Sequence, residues 1–309
     1  MKIVIVGPGA MGCLFAALLS KSGQECRVLD HLTDRAKILS ENGLHVEGVS
    51  GELRVKVPVS AEPADMAQAE LVLICVKSYH TREAIAALAP FLNEEARILT
   101  LQNGVGNVEA LSEICGKNRV WGGITSQGAT VLESGHIRHA GTGPTLIGAA
   151  AGPGQEARLN EVAEAFRLAG FPTEIEARVE PLIWSKLVIN VGINPLTALT
   201  RLKNGQLLDY PGTVGLMEKS VEEALAVIKC LGIDLIYPDP LERVKTVASA
   251  TAGNIASMLQ DVLSQRRTEI DSINGAVVRE GLRLGIPTPV NETLTHLVKT
   301  IEASYGAGV

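Results

Sequence analysis

The chain opens "MKIVIVGPGAMG" (residues 1–12), and the reading of these twelve residues decides the fold of its first half. Residues 3–6 are an unbroken apolar run, the pattern of a strand buried on both faces of a parallel sheet. Gly7, Gly9 and Gly12 follow in the spacing G-x-G-x-x-G, and "AMGCLFAALLSKSG" (10–23) continues with helical spacing to a stop at Gly23. The glycine motif is weak alone, but between a buried strand and a helix it becomes informative. There Gly7 permits a tight turn, Gly9 lets backbone approach a pyrophosphate, and Gly12 lets helix pack on strand. Ala10 and Met11 begin the helix, whose unsatisfied N–H groups and positive dipole end suit phosphate. A glycine turn that serves packing alone is the competing reading.

The pattern continues outward from this start. "CRVLD" (26–30) is a second strand, and "TDRAKILSENG" (33–43) a second helix, capped by Thr33 or Asp34. "LHVEGVSGELRVKV" (44–57) alternates about Ser50-Gly51 as a hairpin. "LVLICVK" (71–77) and "RILTLQN" (97–103) are further buried strands, separated by the helix "TREAIAALAPFL" (81–92). Residues 120–149 read as a β-meander and 155–169 as one more helix. This rhythm predicts a Rossmann-type α/β domain, a parallel sheet with helices on both faces. After about residue 176 strand patterns fade, and helices are expected over 180–200, 213–231, 239–262, 265–284 and 289–304. The expected organisation is a dinucleotide-binding α/β domain at 1–176 and an all-α substrate domain at 177–309.

Composition removes several classes of function. Aromatics are 3% of the 309 residues, too few for the stacking platforms of single-strand nucleic-acid binders. The net charge of −6 divides near residue 176 into about −5 and −1, so neither half is basic and no nucleic-acid partner is expected. The five cysteines are odd in number, widely spaced and without a C-x-x-C, which suits reduced thiols in the cytoplasm. Residues 1–20 loosely imitate a signal peptide, but Gly7-Pro8-Gly9 ends the apolar run after a strand's length. Residues 181–200 are apolar enough to suggest a membrane span, yet Lys186, Asn190, Asn194 and Pro195 favour a buried helix of a soluble protein. His136 and His139 prompt the idea of zinc, but their spacing in a hairpin reads as two exposed histidines.

The end of the second strand bears on the choice of dinucleotide. Asp30 there could accept from both ribose hydroxyls, which favours NAD(H); it could equally be a capping or solvated turn residue. His31, Arg35 and Lys77 lie near it in the pattern and suit the 2′-phosphate of NADP(H). The two signals conflict.

A second constellation lies in "IWSKLVINVGINPLTAL" (183–199), where Lys186 is the lone charge between Glu180 and Arg201. On a helix, Lys186, Asn190 and Asn194 share one face at i, i+4 and i+8. A buried lysine is costly unless paired or deprotonated. From this stretch alone it is either a catalytic amine or one that reaches solvent along its stem. Downstream, Asn254, Ser257, Glu269 and Asn274 stud a second helical pattern; Glu269 could partner Lys186, and Ser257 could receive a carboxylate.

Taken together, "GPGAMG", "CVKSYHT" (75–81), "QNGVGN" (102–107), "WSKLVINVGINPLTAL", "KNGQLL" (203–208), "NIASMLQD" (254–261) and "RRTEIDSINGAVV" (266–278) carry a resemblance over nearly the full length. The chain resembles the ketopantoate reductase (2-dehydropantoate 2-reductase) family. The resemblance implies a Rossmann domain joined to a helical domain like that of 6-phosphogluconate dehydrogenase, with a small 2-oxo acid bound in the cleft between them. It implies NADPH-dependent reduction of ketopantoate to pantoate, with Lys186 as general acid and Glu269 as the catalytic glutamate. Asn103, Asn190, Asn194, Asn204 and Ser257 match substrate-binding positions, while Lys77 and Asn103 fall on the cofactor side. Where the family usually has an arginine for the 2′-phosphate, this chain has His31 preceded by Asp30. A homodimer is left open.

Overall fold

A computed structural model describes residues 1–152 and 154–307. The chain divides into two compact units, one of residues 1–102 and 107–179, the other of 103–106 and the residues from Glu180 onward.

The first unit is built on a sheet of eight strands: β1 (Lys2–Val6), β2 (Glu25–Leu29), β5 (Val59–Ser60), β6 (Leu71–Ile74), β7 (Arg97–Thr100), β8 (Val120–Thr125), β11 (Thr145–Ala149) and β12 (Thr173–Ile175). Their spatial order is β12-β11-β8-β7-β6-β1-β2-β5, and every pairing is parallel except β8 with β11. The helices are α1 (Ala10–Lys21), α2 (Thr33–Asn42), α3 (Thr81–Leu88), α4 (Asn107–Cys115) and α5 (Glu156–Leu168). The unbroken apolar run of β1 has a direct cause. Ile3 and Ile5 enter the core formed with α1 and α5, whereas Val4 and Val6 enter the core on the opposite face. Because Val6 is level with both Leu29 and Ile74, strands β1, β2 and β6 end together. The strand order reverses at β1, the place where doubly wound sheets bind ligands beyond their carboxyl ends.

Residues 120–149 are not the expected meander. Strands β8 and β11 belong to the main sheet, whereas β9 (Gly128–Glu133) and β10 (His136–Gly141) join β3 (Leu44–Gly48) and β4 (Leu53–Val55) in a second sheet ordered β4-β3-β10-β9. Burial explains the division: β8 is buried along its whole length, whereas β9 is partly covered at first and then exposed. A Cβ at Gly123 would lie 2.1 Å from the Leu146 carbonyl oxygen, so glycine is required where β8 lies against β11. His139 is also not an exposed histidine. It is 2% exposed, and its Nε2 meets Gln127 Oε1 at 3.0 Å. The expected side-chain caps of α2 are absent: neither Thr33 nor Asp34 fills that place, and Leu32 is the N-cap. The patterns of α4, β5 and β12 were too short or too mixed to predict.

The second unit is helical: α6 (Val179–Thr200), α7 (Pro211–Cys230), α8 (Pro240–Ala250), α9 (Ser257–Leu263), α10 (Asn274–Leu284) and α11 (Pro289–Ala303). Helix α6 is apolar around most of its circumference because it is surrounded by the others and mostly buried, as a core helix should be. The helices expected over 239–262 and 265–284 are each interrupted. Thr251 closes α8, and the turn after it includes an Asn254 N–H bond to the Thr251 carbonyl at 2.8 Å. Glu269 lies on a short 3₁₀ turn, leading into Ile270–Ser272, and not on a helix.

Pro195 sits inside α6 and cannot donate to the carbonyl four residues earlier, that of Val191. The side chain of Asn274, fully buried at the start of α10, supplies the donor instead: Nδ2 reaches Val191 O at 3.3 Å and Asn291 Oδ1 at 2.9 Å. Asn291 in turn donates to Ser220 O and Glu223, so one amide pair ties α6, α7, α10 and α11 together. Removing Asn274 leaves two buried acceptors without a donor. Asn274→Ala is therefore expected to lose about 1–3 kcal/mol of stability in urea denaturation. A change under about 0.5 kcal/mol, the size usual for an innocuous surface substitution, would show that the proline gap has no cost.

Candidate active site

In the first unit the glycine turn has the geometry its spacing predicts. Gly7 adopts φ +99, and a Cβ on Gly12 would lie 2.0 Å from the Gly7 carbonyl oxygen, so both are glycine for reasons internal to the turn. Gly9 differs. Its φ of −76 suits any residue, and a Cβ there would meet nothing within 4 Å. Gly9 is also the N-cap of α1, which has neither a side-chain cap nor an acidic residue in its first turn. The N–H groups of Ala10 and Met11 thus begin a helix end left open for an anion, and the smallness of Gly9 keeps the approach clear.

Lys77 follows β6 and leads into a 3₁₀ turn, Ser78–His80. A buried network holds this loop: Gln102 Nε2 donates to Val76 O at 2.6 Å and to Thr81 Oγ1 at 2.8 Å, and Thr81 donates to Asn107 Oδ1 at 2.9 Å. The "QN" of "QNGVGN" therefore has two duties, since Gln102 fastens the Lys77 loop while Asn103 belongs to the second unit.

Asp30 is buried and paired at the end of β2. It is 1% exposed, and its carboxylate accepts from Arg35 Nε at 2.5 Å, Arg35 Nη2 at 2.6 Å and the Leu32 N–H at 3.2 Å. Arg35 and the Leu32 N–H together take three of the carboxylate's acceptor positions. The Arg35 side chain, by contrast, is 36% exposed, and the His31 ring beside it is open to solvent with Nδ1 3.4 Å from Asp30. His80 lies across from His31, ring centroids 6.3 Å apart. The end of β2 thus presents a guanidinium and imidazoles, with the carboxylate beneath them.

In the second unit Lys186, Asn190 and Asn194 follow one another down one side of α6. Burial pushes the Lys186 amine down to about 8, and the nearby Glu269 carboxylate partly opposes that fall. An amine of this strength is mostly protonated at neutral pH and still gives up its proton readily. Glu269 is 8% exposed and Asn194 5%. The Asn190 Nδ2 is a buried donor with no acceptor among the described residues, one helical turn beyond Lys186. Asn204 donates through Nδ2 to Thr251 Oγ1 at 2.9 Å and leaves its Oδ1 a buried acceptor with no donor among the described residues. Its backbone N–H bonds to Asn254 O at 3.1 Å, so Asn204 is fastened to the loop that leads to Ser257, the exposed first residue of α9. Asn103 is joined to the Glu269 turn: the Val105 N–H bonds to Ser272 O at 2.9 Å, and a Cβ on Gly104 would lie 2.5 Å from that oxygen. Glu269, Ser272 and the Asn103 loop therefore form one group beside Lys186, and Asn204, Thr251 and the Ser257 loop form another.

The chain as a whole is similar to known proteins. The model of the family "Ketopantoate reductase PanE/ApbA" matches residues 3–152, and that of its C-terminal domain matches 178–302. The chain belongs to the ketopantoate reductase family. A 2-dehydropantoate 2-reductase of Halobacterium salinarum is 38% identical over 97% of this chain and 98% of its own. Among solved structures, a PanE/ApbA family ketopantoate reductase from Ralstonia eutropha JMP134 superposes with a TM-score of 0.90 at 34% identity, covering 98% of this chain and 99% of that one. D-mandelate dehydrogenase, solved with NADH and anilino(oxo)acetate, reaches 0.93 at 26% identity over 99% of this chain and 100% of its own.

Gly9 provides a test free of folding artefacts, because a methyl group there touches no protein atom. Gly9→Ala should leave the melting temperature unchanged and raise the Kd for NADPH and NADH by about tenfold or more, 1.4 kcal/mol. Unchanged fluorescence titrations would place the dinucleotide elsewhere.

Proposed function

We propose that the chain reduces 2-dehydropantoate to pantoate, with NADPH as the preferred cofactor. The observation that carries this reading is the heightened acidity of the Lys186 ammonium beside Glu269, with an amide donor on the same helix that has no acceptor among the described residues. The bound nicotinamide supplies a hydride for the C2 carbonyl carbon. As that carbon is reduced, negative charge grows on the carbonyl oxygen; the Lys186 ammonium stabilises it and passes it a proton, ending as a neutral amine that water reprotonates. The Asn190 Nδ2 donor suits a substrate oxygen without adding charge. The Asn204 Oδ1 acceptor suits a hydroxyl, which pantoate carries at its far end. Ser257 and Asn103 offer further polar contacts to the acid, Asn194 supports the amine from its own helix, and Glu269 keeps Lys186 protonated.

The preference for NADPH rests on Arg35. An acidic residue at the end of β2 would repel a 2′-phosphate if its charge were open. Asp30 is instead neutralised by Arg35 and orients that guanidinium, whose remaining N–H groups suit a phosphate. His31, Lys77 and the turn of Gly7, Gly9 and Gly12 complete the site. A second reading, an NADH-dependent reductase of a different 2-oxo acid, draws support from the likeness to D-mandelate dehydrogenase.

Steady-state kinetics with both cofactors and a panel of 2-oxo acids tests the reading. 2-Dehydropantoate with NADPH should give the largest kcat/KM, and a larger value for an aryl 2-oxo acid with NADH would favour the second reading. Lys186→Ala should lower kcat by a factor of about 10³ or more, within the range of positioned acid catalysts, without weakening NADPH binding. A mutant of wild-type kcat would remove Lys186 from the chemistry. Since the protonated amine is the active form, kcat/KM should fall as pH rises through about 8, and Glu269→Gln should move that limb to lower pH. Arg35→Ala should raise the Kd for NADPH by about tenfold, one charge-assisted contact, and leave that for NADH within twofold.

A further inference from the structure

The 3₁₀ turn that carries Glu269 is held by residues far along the chain. Thr268, immediately before Glu269, is 1% exposed, and its backbone N–H donates to the Glu302 carboxylate at 2.7 Å, across 34 positions of sequence. The Thr268 hydroxyl accepts the Ile270 N–H at 3.2 Å, so the backbone is fixed on both sides of Glu269. The Glu269 carbonyl oxygen then closes the turn by accepting from the Ser272 and Ile273 N–H groups. Two lesser ties come from the same part of the chain. Lys299 meets Asp271 at 3.0 Å, and the Tyr305 hydroxyl donates to the Arg266 carbonyl oxygen at 3.3 Å.

Glu302 stands in the last turn of α11, where the helix dipole disfavours a carboxylate and favours a cation. No basic residue occupies that turn. The placement is unfavourable for the helix and favourable for the Thr268 amide, to which a carboxylate gives a strong, charge-assisted bond. We infer that Glu302 is a positioning residue for the reduction, holding the Thr268–Glu269 backbone so that the Glu269 carboxylate stays beside Lys186. This inference rests on the assignment of Lys186 and Glu269 to the chemistry. The other charged groups around the turn are Asp261, Arg266, Arg267, Asp271, Arg279 and Lys299. They pair with one another or with backbone: Asp261 with Arg266, Arg267 and Lys299 with Asp271, and Arg279 with the Asp271 carbonyl.

The test compares Glu302→Ala, Glu302→Gln, Glu269→Ala and the double variant Glu302→Ala/Glu269→Ala in the full chain. Glu302→Ala should lower kcat/KM for the 2-oxo acid about tenfold while the Kd for NADPH stays within twofold. Its basic pH limb should move downward, in the direction of Glu269→Gln, because Lys186 loses the charge that sustains its proton. Glu302→Gln keeps an acceptor oxygen and should restore most of the activity. In the double variant, adding Glu302→Ala to Glu269→Ala should cause no further loss, since both act through one group. Multiplicative losses, or a lowered melting temperature with an unmoved pH limb, would make Glu302 a fastener of the fold only and overturn the inference. Lysine-selective NMR of the ligand-free protein separates this outcome from failure of the catalytic reading. There the Lys186 titration should move downward in Glu302→Ala whether or not any 2-oxo acid is turned over, and an unmoved titration would refute the positioning role.

Discussion

An amine kept inside an apolar helix is the constraint on which the second unit depends. Lys186 lies on α6 among Leu182, Trp184, Leu187 and Val188, all nearly inaccessible, and burial lowers its affinity for a proton. A second carboxylate next to it would restore that affinity and make the amine a poor acid. The surroundings instead provide one carboxylate, Glu269, and amides. Asn190 and Asn194, on the same helix, bring donors and acceptors without charge, so they do not oppose the effect of burial on the amine. The same economy appears where Pro195 breaks the hydrogen-bond ladder of α6, since Asn274 answers the freed carbonyl with a neutral amide.

At the end of β2 the balance runs the other way. The rule that an acid there binds ribose hydroxyls assumes that the carboxylate is open, and Asp30 is closed by Arg35, five residues on. One turn of α2 brings that arginine back over the strand end. The pair is a charge-neutral unit whose exposed member is the cation. Sequence position alone could not show this pairing, because it is a side-chain contact and the residue types are the same with or without it.

Much of the first unit was legible because its strands are buried on both faces. Such strands are short apolar runs, and β1, β6 and β7 were visible as such. The failures came where burial is partial. Residues 120–149 read as one meander, so the pattern could not show that β9 and β10 leave the main sheet for β3. His139 read as exposed for the same reason: a residue in an alternating hairpin gives no sign of which face is covered. Of the candidate site, the α6 residues followed from helical spacing, and the glycine turn from its place between strand and helix. The roles of Asn103 and Asn204 came from family resemblance alone, since each stands on a loop where no periodicity acts, whereas Ser257 was also singled out by the polar-studded pattern of 254–274.

Glu269 shows most clearly why such residues escape a pattern-based reading. Ile270, Ile273 and Val277 are spaced as on a helix and are all buried, so periodicity runs straight through the turn. What breaks the helix is local. The Thr268 hydroxyl captures the Ile270 N–H, the Glu269 carbonyl captures two more, and Ile273 leaves helical geometry at φ −106 and ψ −95 before α10 begins. Each of these bonds competes with the helical ladder for the same backbone groups. The competition is settled by Glu302, which takes the Thr268 N–H from a distance that no window of sequence spans. A carboxylate fixed in this way is held by backbone on both sides. Its position beside the lysine therefore depends on the last helix of the chain as much as on its own neighbours.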